Sequence, residues 1–321
     1  MICRDILRRA RVWACLICCY ALALPDAQSA LIMEDHFLSG ATLANGEYAN
    51  TVVLPAQNPT ITNANGAWGV SGSVSSGVNA RSTSTGLTLG TFPTSGGAIE
   101  IFRTGNNSSA DSASFFRPAS NNSATTLLAS EEFYFSAVVQ YTGAHRIGLG
   151  LEFEGLDNFG IGFDKTGNIG ITRSVTNDGN ANALLNAVNN AGNPFAAGTY
   201  LIVGKVTPNP TLLGTETISV LLVTNDGNSI PGLEPAALTS NSTLNVWEPT
   251  GAGDSVENYW LFAQKPSNNA GGTVYSGRFD EFRVGRSYVD VVAIPEPSSL
   301  ALFGLACASF LGYSCRNRFR D

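Results

Sequence analysis

Between residues 31 and 292 the apolar residues come in short bursts, at 133–139, 146–153, 158–163, 200–207, 216–223 and 279–284, each six to eight residues long. A helix of average length needs about 11 or 12 residues, so runs of this size suit strands. Their period agrees. Ile147, Leu149, Leu151 and Phe153 alternate with Gly148, Gly150 and Glu152, which puts the four large side chains on one face of an extended chain. Turn residues separate the bursts, notably Thr-Asn-Asp-Gly-Asn at 176–180 and again at 224–228. Asp-Gly is favoured in tight type I′ hairpins, where both central residues need a positive φ. One stretch reads otherwise: Ala181 to Asn190 groups Leu184, Leu185 and Val188 at helical spacing, which predicts a short helical insertion. Many short antiparallel strands joined by Gly-rich turns predict an all-β fold, a two-sheet sandwich.

Composition narrows the function classes. From residue 30 to 294 there are eleven Lys plus Arg against twenty-one Asp plus Glu, a net charge of −10. Such a surface repels a phosphate backbone, so nucleic acid is excluded as a partner. The six cysteines, Cys3, Cys15, Cys18, Cys19, Cys307 and Cys315, all lie outside this region. The middle of the chain must therefore be held by burial and strand pairing, and it holds no Cys-ligated metal.

The two ends carry the remaining charge. Arg8, Arg9 and Arg11 precede the apolar run Val12 to Leu24, and Pro25 is followed by the small residues of Ala27-Gln28-Ser29-Ala30. This order predicts a signal peptide over residues 1–30, removed by signal peptidase after Ser29 or Ala30; the alternative is an uncleaved anchor helix. At the other end, Ile294-Pro295-Glu296-Pro297-Ser298-Ser299 leads into the apolar stretch Leu300 to Tyr313 and a tail holding Arg316, Arg318 and Arg320. The prolines hold the chain extended and stop a helix, and a serine can cap the next one. Arginines after an apolar stretch stay on the cytoplasmic side. An apolar segment of about 14–16 residues is short of the ~20 of a comfortable span, so the order of the parts carries this reading.

That order resembles the PEP-CTERM sorting domain of Gram-negative bacteria. The resemblance implies recognition by exosortase near Pro295, Glu296 and Pro297, with residues 298–314 as a short transmembrane helix and Arg316, Arg318 and Arg320 as the basic tail. It also implies passage through the inner membrane to the outer surface or extracellular matrix. The middle region carries a second resemblance. Glu34-Asp35-His36-Phe37, Gly66-Ala67-Trp68-Gly69, Tyr200 to Val206 and the closing Phe279-Asp280-Glu281-Phe282-Arg283-Val284-Gly285 look like landmarks of concanavalin A-like, LamG-type jelly rolls. This implies one sandwich over residues 31–293, with its first and last strands adjacent, and a sorting signal over 294–321.

Chemistry is sparse. Glu152 and Glu154 share a strand face, but the Glu-x-Asp-x-x-Glu pattern of laminarinase-type glycosidases is absent, and no nucleophile elbow, zinc-protease or P-loop motif occurs. No catalytic residue is assigned, and the chain is read as a non-enzyme. His36 and His145 lack metal-ligand spacing, and His36 is expected at a surface or edge. Asp178 and Asp226, in the two Asp-Gly turns, are weak calcium candidates, with turn geometry as the simpler explanation; no other cofactor is expected. Trp68, Trp247 and Trp260 are core residues or sugar-stacking platforms. The leading expectation is a structural or adhesive surface protein. The alternatives are a carbohydrate-binding module for exopolysaccharide and, after it, a glycoside hydrolase.

Overall fold

The computed structural model describes residues 31–40, 48–49, 67–71, 78–92, 94, 96–103, 112–119, 131–143, 146–153, 159–164, 166–172, 185–188, 193–209, 216–242, 256–264 and 274–292. Two antiparallel sheets dominate them. The first runs in the order β15 (Thr239–Asn241), β14 (Thr217–Thr224), β13 (Gly198–Thr207), β8 (Phe133–Tyr141), β17 (Val274–Gly285), β6 (Ala98–Arg103), β5 (Val78–Thr83), with β1 (Leu31–Asp35) also paired to β17. The second runs β12 (Leu185–Val188), β11 (Ile169–Thr172), β10 (Phe159–Phe163), β9 (Arg146–Phe153), β16 (Val256–Gln264), β7 (Ser112–Pro118), β4 (Gly69–Ser71). A two-residue parallel pair, β2 (Ser39–Gly40) with β3 (Tyr48–Ala49), lies outside both. Neighbours such as β8 with β17 and β9 with β16 are far apart in sequence, as in a jelly roll. The all-β, two-sheet antiparallel fold is the one expected.

The alternation read from β9 decides the core. Ile147, Leu149 and Leu151 are fully buried, and across the gap they join Phe135, Ala137, Val139, Ile202 and Phe279 of the first sheet in one cluster. Tyr141 stacks on Phe163 with ring centroids 4.7 Å apart, and Phe135 meets Phe159 edge-on at 6.0 Å. Each such side chain contributes about 1.5–3 kcal/mol on burial. Trp68 is 2% exposed and packs in this core near Phe37. The first and last strands meet: Glu34 lies opposite Arg283 and Asp35 opposite Phe282 in the β1–β17 register.

The first sheet is covered on its outer face too. Leu87, Leu89 and Phe92 pack there with Tyr134, Val138, Leu201 and Leu221, and with Tyr288, Val291 and Val292 of a short helix, α1 (Tyr288–Val292). Gly227 admits this layer, because a Cβ there would lie 2.1 Å from the Leu89 carbonyl oxygen.

Two local expectations are corrected. Residues 185–188 form a strand, not part of a helix. Val188 lies opposite Ile169 and Leu185 opposite Ile171, so three steps on β12 match two on β11. The bulge puts positions three apart on one face, which imitates helical spacing. The Asp226-Gly227 turn is no type I′ hairpin either. Asp226 is extended at φ −123° and caps a 3-10 turn, Gly227–Ser229, by accepting from the Asn228 amide. Among the described residues no helix is long and apolar enough to cross a membrane; residues 298–314 lie outside them.

Candidate functional site

Where β1 meets β17, four charged side chains form a closed network. The imidazole of His36, just past β1, places Nδ1 2.5 Å from Glu281 Oε2 and Nε2 3.2 Å from Glu34 Oε2. Arg283 donates from Nε to Glu34 at 2.7 Å and from Nη2 to Glu281 at 2.9 Å. Glu281 and Arg283 are almost fully buried, whereas His36 keeps 33% of its side chain exposed. Hydrogen bonds that the ring donates to Glu281, then to Glu34, outweigh burial and raise His36 to a pKa of about 10, so the ring is an imidazolium at neutral pH. Burial opposes ionisation of Glu34, but His36 and Arg283 outweigh it and hold its pKa below the ordinary value. Two cations thus face two anions.

The backbone here is strained. Glu281 and Phe37 adopt φ of +51° and +49°, a region that β-strand residues with side chains avoid. Side chains of aspartates one and two residues back offset this cost: Asp280 Oδ1 accepts from the Glu281 amide and Asp35 Oδ1 from the Phe37 amide, each at 2.9 Å. Asp280 Oδ2 also accepts from the Leu87 amide at 2.9 Å. Burial, followed by the Glu281 charge, still raises Asp280 to a pKa of about 7. Asp35 carries a second load, with Oδ2 3.5 Å from Nη1 of Arg117, both side chains fully buried.

Glu34, His36 and Glu281 offer ligand atoms within 4.8 Å of one another, the spacing of a metal site. Their chemistry points elsewhere. Each carboxylate faces a different ring nitrogen, and Arg283 already donates to both. A metal would have to displace the proton on His36 and sit beside a guanidinium. The arrangement fits an ion-pair clasp between the ends of the sandwich.

The outer face of the second sheet holds the other polar constellation. Glu152 Oε2 accepts from Asn258 Nδ2 at 2.7 Å and from Trp260 Nε1 at 3.1 Å. Trp260 packs on Phe116 at 5.1 Å between ring centroids. Burial raises the Glu152 pKa, the Asn258 bond opposes it, and the Glu257 charge raises it further. Beside this group the outward positions of β9 and β10 are Gly148, Gly150, Gly160 and Gly162. A Cβ on Gly148 would lie 2.5 Å from the Phe262 ring, which covers it.

The remaining candidates fall as follows. Asp226 Oδ1 accepts from the Asn228 amide and side chain, each at 2.9 Å, so turn geometry employs the carboxylate. Asp164 does the same with Thr166 and Asn168. Asp178, His145, Glu154, Trp247, Pro295, Glu296, Pro297, Arg316, Arg318 and Arg320 lie outside the described residues. Sequence reading missed the clasp because His36 and Glu281 are 245 positions apart. The signal was present in the acidic and basic residues of the opening and closing strand motifs, once those strands are paired.

Comparison with solved structures finds low likeness. The marine PL-14 alginate lyase from Aplysia kurodai aligns at 12% identity over 61% of this chain and 85% of its own, with a TM-score of 0.37. The Emp47p carbohydrate recognition domain aligns at 10% identity over 77% and 100%, with a TM-score of 0.35. A Trypanosoma rangeli sialidase mutant aligns at 12% identity and a TM-score of 0.36, over 80% of this chain but only 31% of the sialidase. At these values the likeness carries nothing about activity, substrate or ligand. No curated protein matches the chain. Residues 293–318, which begin directly after α1, match the PEP-CTERM protein-sorting motif; the chain carries an exosortase-type sorting signal next to a β-sandwich.

Proposed function

We propose that the chain is an exported, non-enzymatic surface or matrix protein with a structural or adhesive role, sorted by exosortase through its C-terminal motif. The match over 293–318 carries this reading, because such a motif implies export and delivery to the surface or outside. The passive role rests on the charged groups of the clasp, which are spent on one another and on strained backbone. Before processing, residues 298–314 hold the chain in the inner membrane, with Arg316, Arg318 and Arg320 on the cytoplasmic side. The test is fractionation of cells producing the full chain or a variant with Pro295, Glu296 and Pro297 all replaced by Ala. The parent is expected shortened and outside the cytoplasm, and the variant full-length in the membrane. Parent chain in the cytoplasm with both ends intact would overturn the reading.

A second reading, carbohydrate binding, is favoured by the face built from Glu152, Asn258, Trp260 and Phe116. Glu152 and Phe116 are partly exposed there, while Trp260 and Asn258 are buried and hold them in place, and a fixed carboxylate beside an aromatic ring is a combination that grips a sugar. A glycan array probed with the 31–292 fragment, with and without calcium, checks it. Binding that is lost in Phe116→Ala supports the reading, and no binding in either condition removes it.

A further inference from the structure

We propose that α1 is a latch that must lift off the sandwich before the sorting motif can be processed, a regulation that rests on the sorting reading above. The helix ends at Val292 and the motif begins at residue 293. Only Ala293 and Ile294 separate Val292 from Pro295, a reach of roughly 10 Å when extended. A protease cleft binds its substrate extended, over several residues on either side of the cut. The residues that precede the motif do not meet that need. Val291 and Val292 are fully buried, and the Val291 carbonyl accepts from Ser136 Oγ of β8 at 2.7 Å. Processing near Pro295 therefore competes with the seating of α1.

The latch is built to open. It has one turn and a fraction, and at its start Asp290 Oδ2 accepts from the Ser287 amide while the Asp290 amide donates to the Ser287 carbonyl. Its fold-back needs Gly285, where a Cβ would lie 2.6 Å from that of Asp290. The Tyr288 hydroxyl is buried without a hydrogen-bond partner among the described residues, a penalty that lifting into water removes. Pro295 has no amide hydrogen and biases Ile294 to extended backbone, so the helix cannot grow into the motif. Opening α1 exposes few residues, which makes it a local event that leaves both sheets paired.

The experiment follows shortening of the full chain in cells that co-produce an exosortase. Variants carry a flexible Gly/Ser spacer of about six residues after Val292, Ser136→Ala, which loosens α1, or Tyr288→Phe, which removes the orphaned hydroxyl and seats it better. The spacer should accelerate shortening at least about tenfold, Ser136→Ala should accelerate it, and Tyr288→Phe should slow it. In the spacer background the two substitutions should lose their effect. Urea midpoints of the variants show that each is folded. A spacer without effect, or substitutions that act equally with the spacer present, would overturn the latch while leaving the sorting signal intact. A parent chain that is never shortened would overturn the sorting reading, and the latch with it.

Discussion

His36 has each ring nitrogen on a different carboxylate, so its contribution to stability is governed by its proton. Its folded pKa of about 10 lies above the ordinary 6.5, so the stabilisation is complete below pH 6.5 and is lost as pH rises towards 10. His36→Gln should lower stability by about 1–2 kcal/mol at pH 7, a value discounted for the partial exposure of the ring, and should flatten that alkaline slope. Asp280 acts over an adjoining range. Its folded pKa of about 7 exceeds the ordinary 3.8, so its contribution falls between these values and is constant above them. Asp280→Asn should remove this slope: it should cost about 1–3 kcal/mol below pH 4, where Asp280 is itself neutral, because one amide oxygen cannot accept from both Leu87 and Glu281, and the cost should shrink as pH rises towards 7. Glu34 has the opposite sign: its support is present above its ordinary pKa and fades as pH falls. Urea midpoints measured from pH 3 to pH 10 separate the three. The chain order Glu34-Asp35-His36-Phe37 displays the residue types of the clasp, but charge state depends on partners 245 positions away.

At the scale of elements, the glycine positions of β9 and β10 set how closely strands approach. A Cβ on Gly150 would lie 2.1 Å from the Phe159 carbonyl oxygen and one on Gly162 2.3 Å from that of Ile147. The obstacle is backbone on a paired strand, which cannot swing away. Gly150→Ala should therefore destabilise the fold by more than about 2 kcal/mol, although Ala is ordinarily tolerated better in a strand than Gly. Chemical denaturation of the variant checks this. Alternation made β9 legible, since its two faces differ as sharply as Leu and Gly. The strand at 185–188 was illegible for a local reason. A bulge converts the two-residue period into three, and only the facing β11 fixes which pattern holds. The Asp226 turn failed for a similar reason, because Gly227 serves close contact with Leu89 rather than a hairpin.

For the whole molecule, the distribution of cysteine makes a direct prediction. No Cys lies between residues 20 and 306, so the thermal midpoint of the 31–292 fragment should be the same with and without reductant. A drop of several degrees on reduction would contradict burial and pairing as the sole support. The sequence by itself determined the class of fold and the sorting signal. Both are written in local order: alternating apolar residues fix a strand face, and Pro-Glu-Pro, an apolar stretch and arginines stand in series at 294–321. Tertiary structure alone decided the rest. The ion-pair clasp, the Glu152 and Trp260 face, and the buried turn that abuts the sorting signal each join residues from separate strands or segments. Their distances and charge states follow from sheet register and burial, which a linear order does not contain.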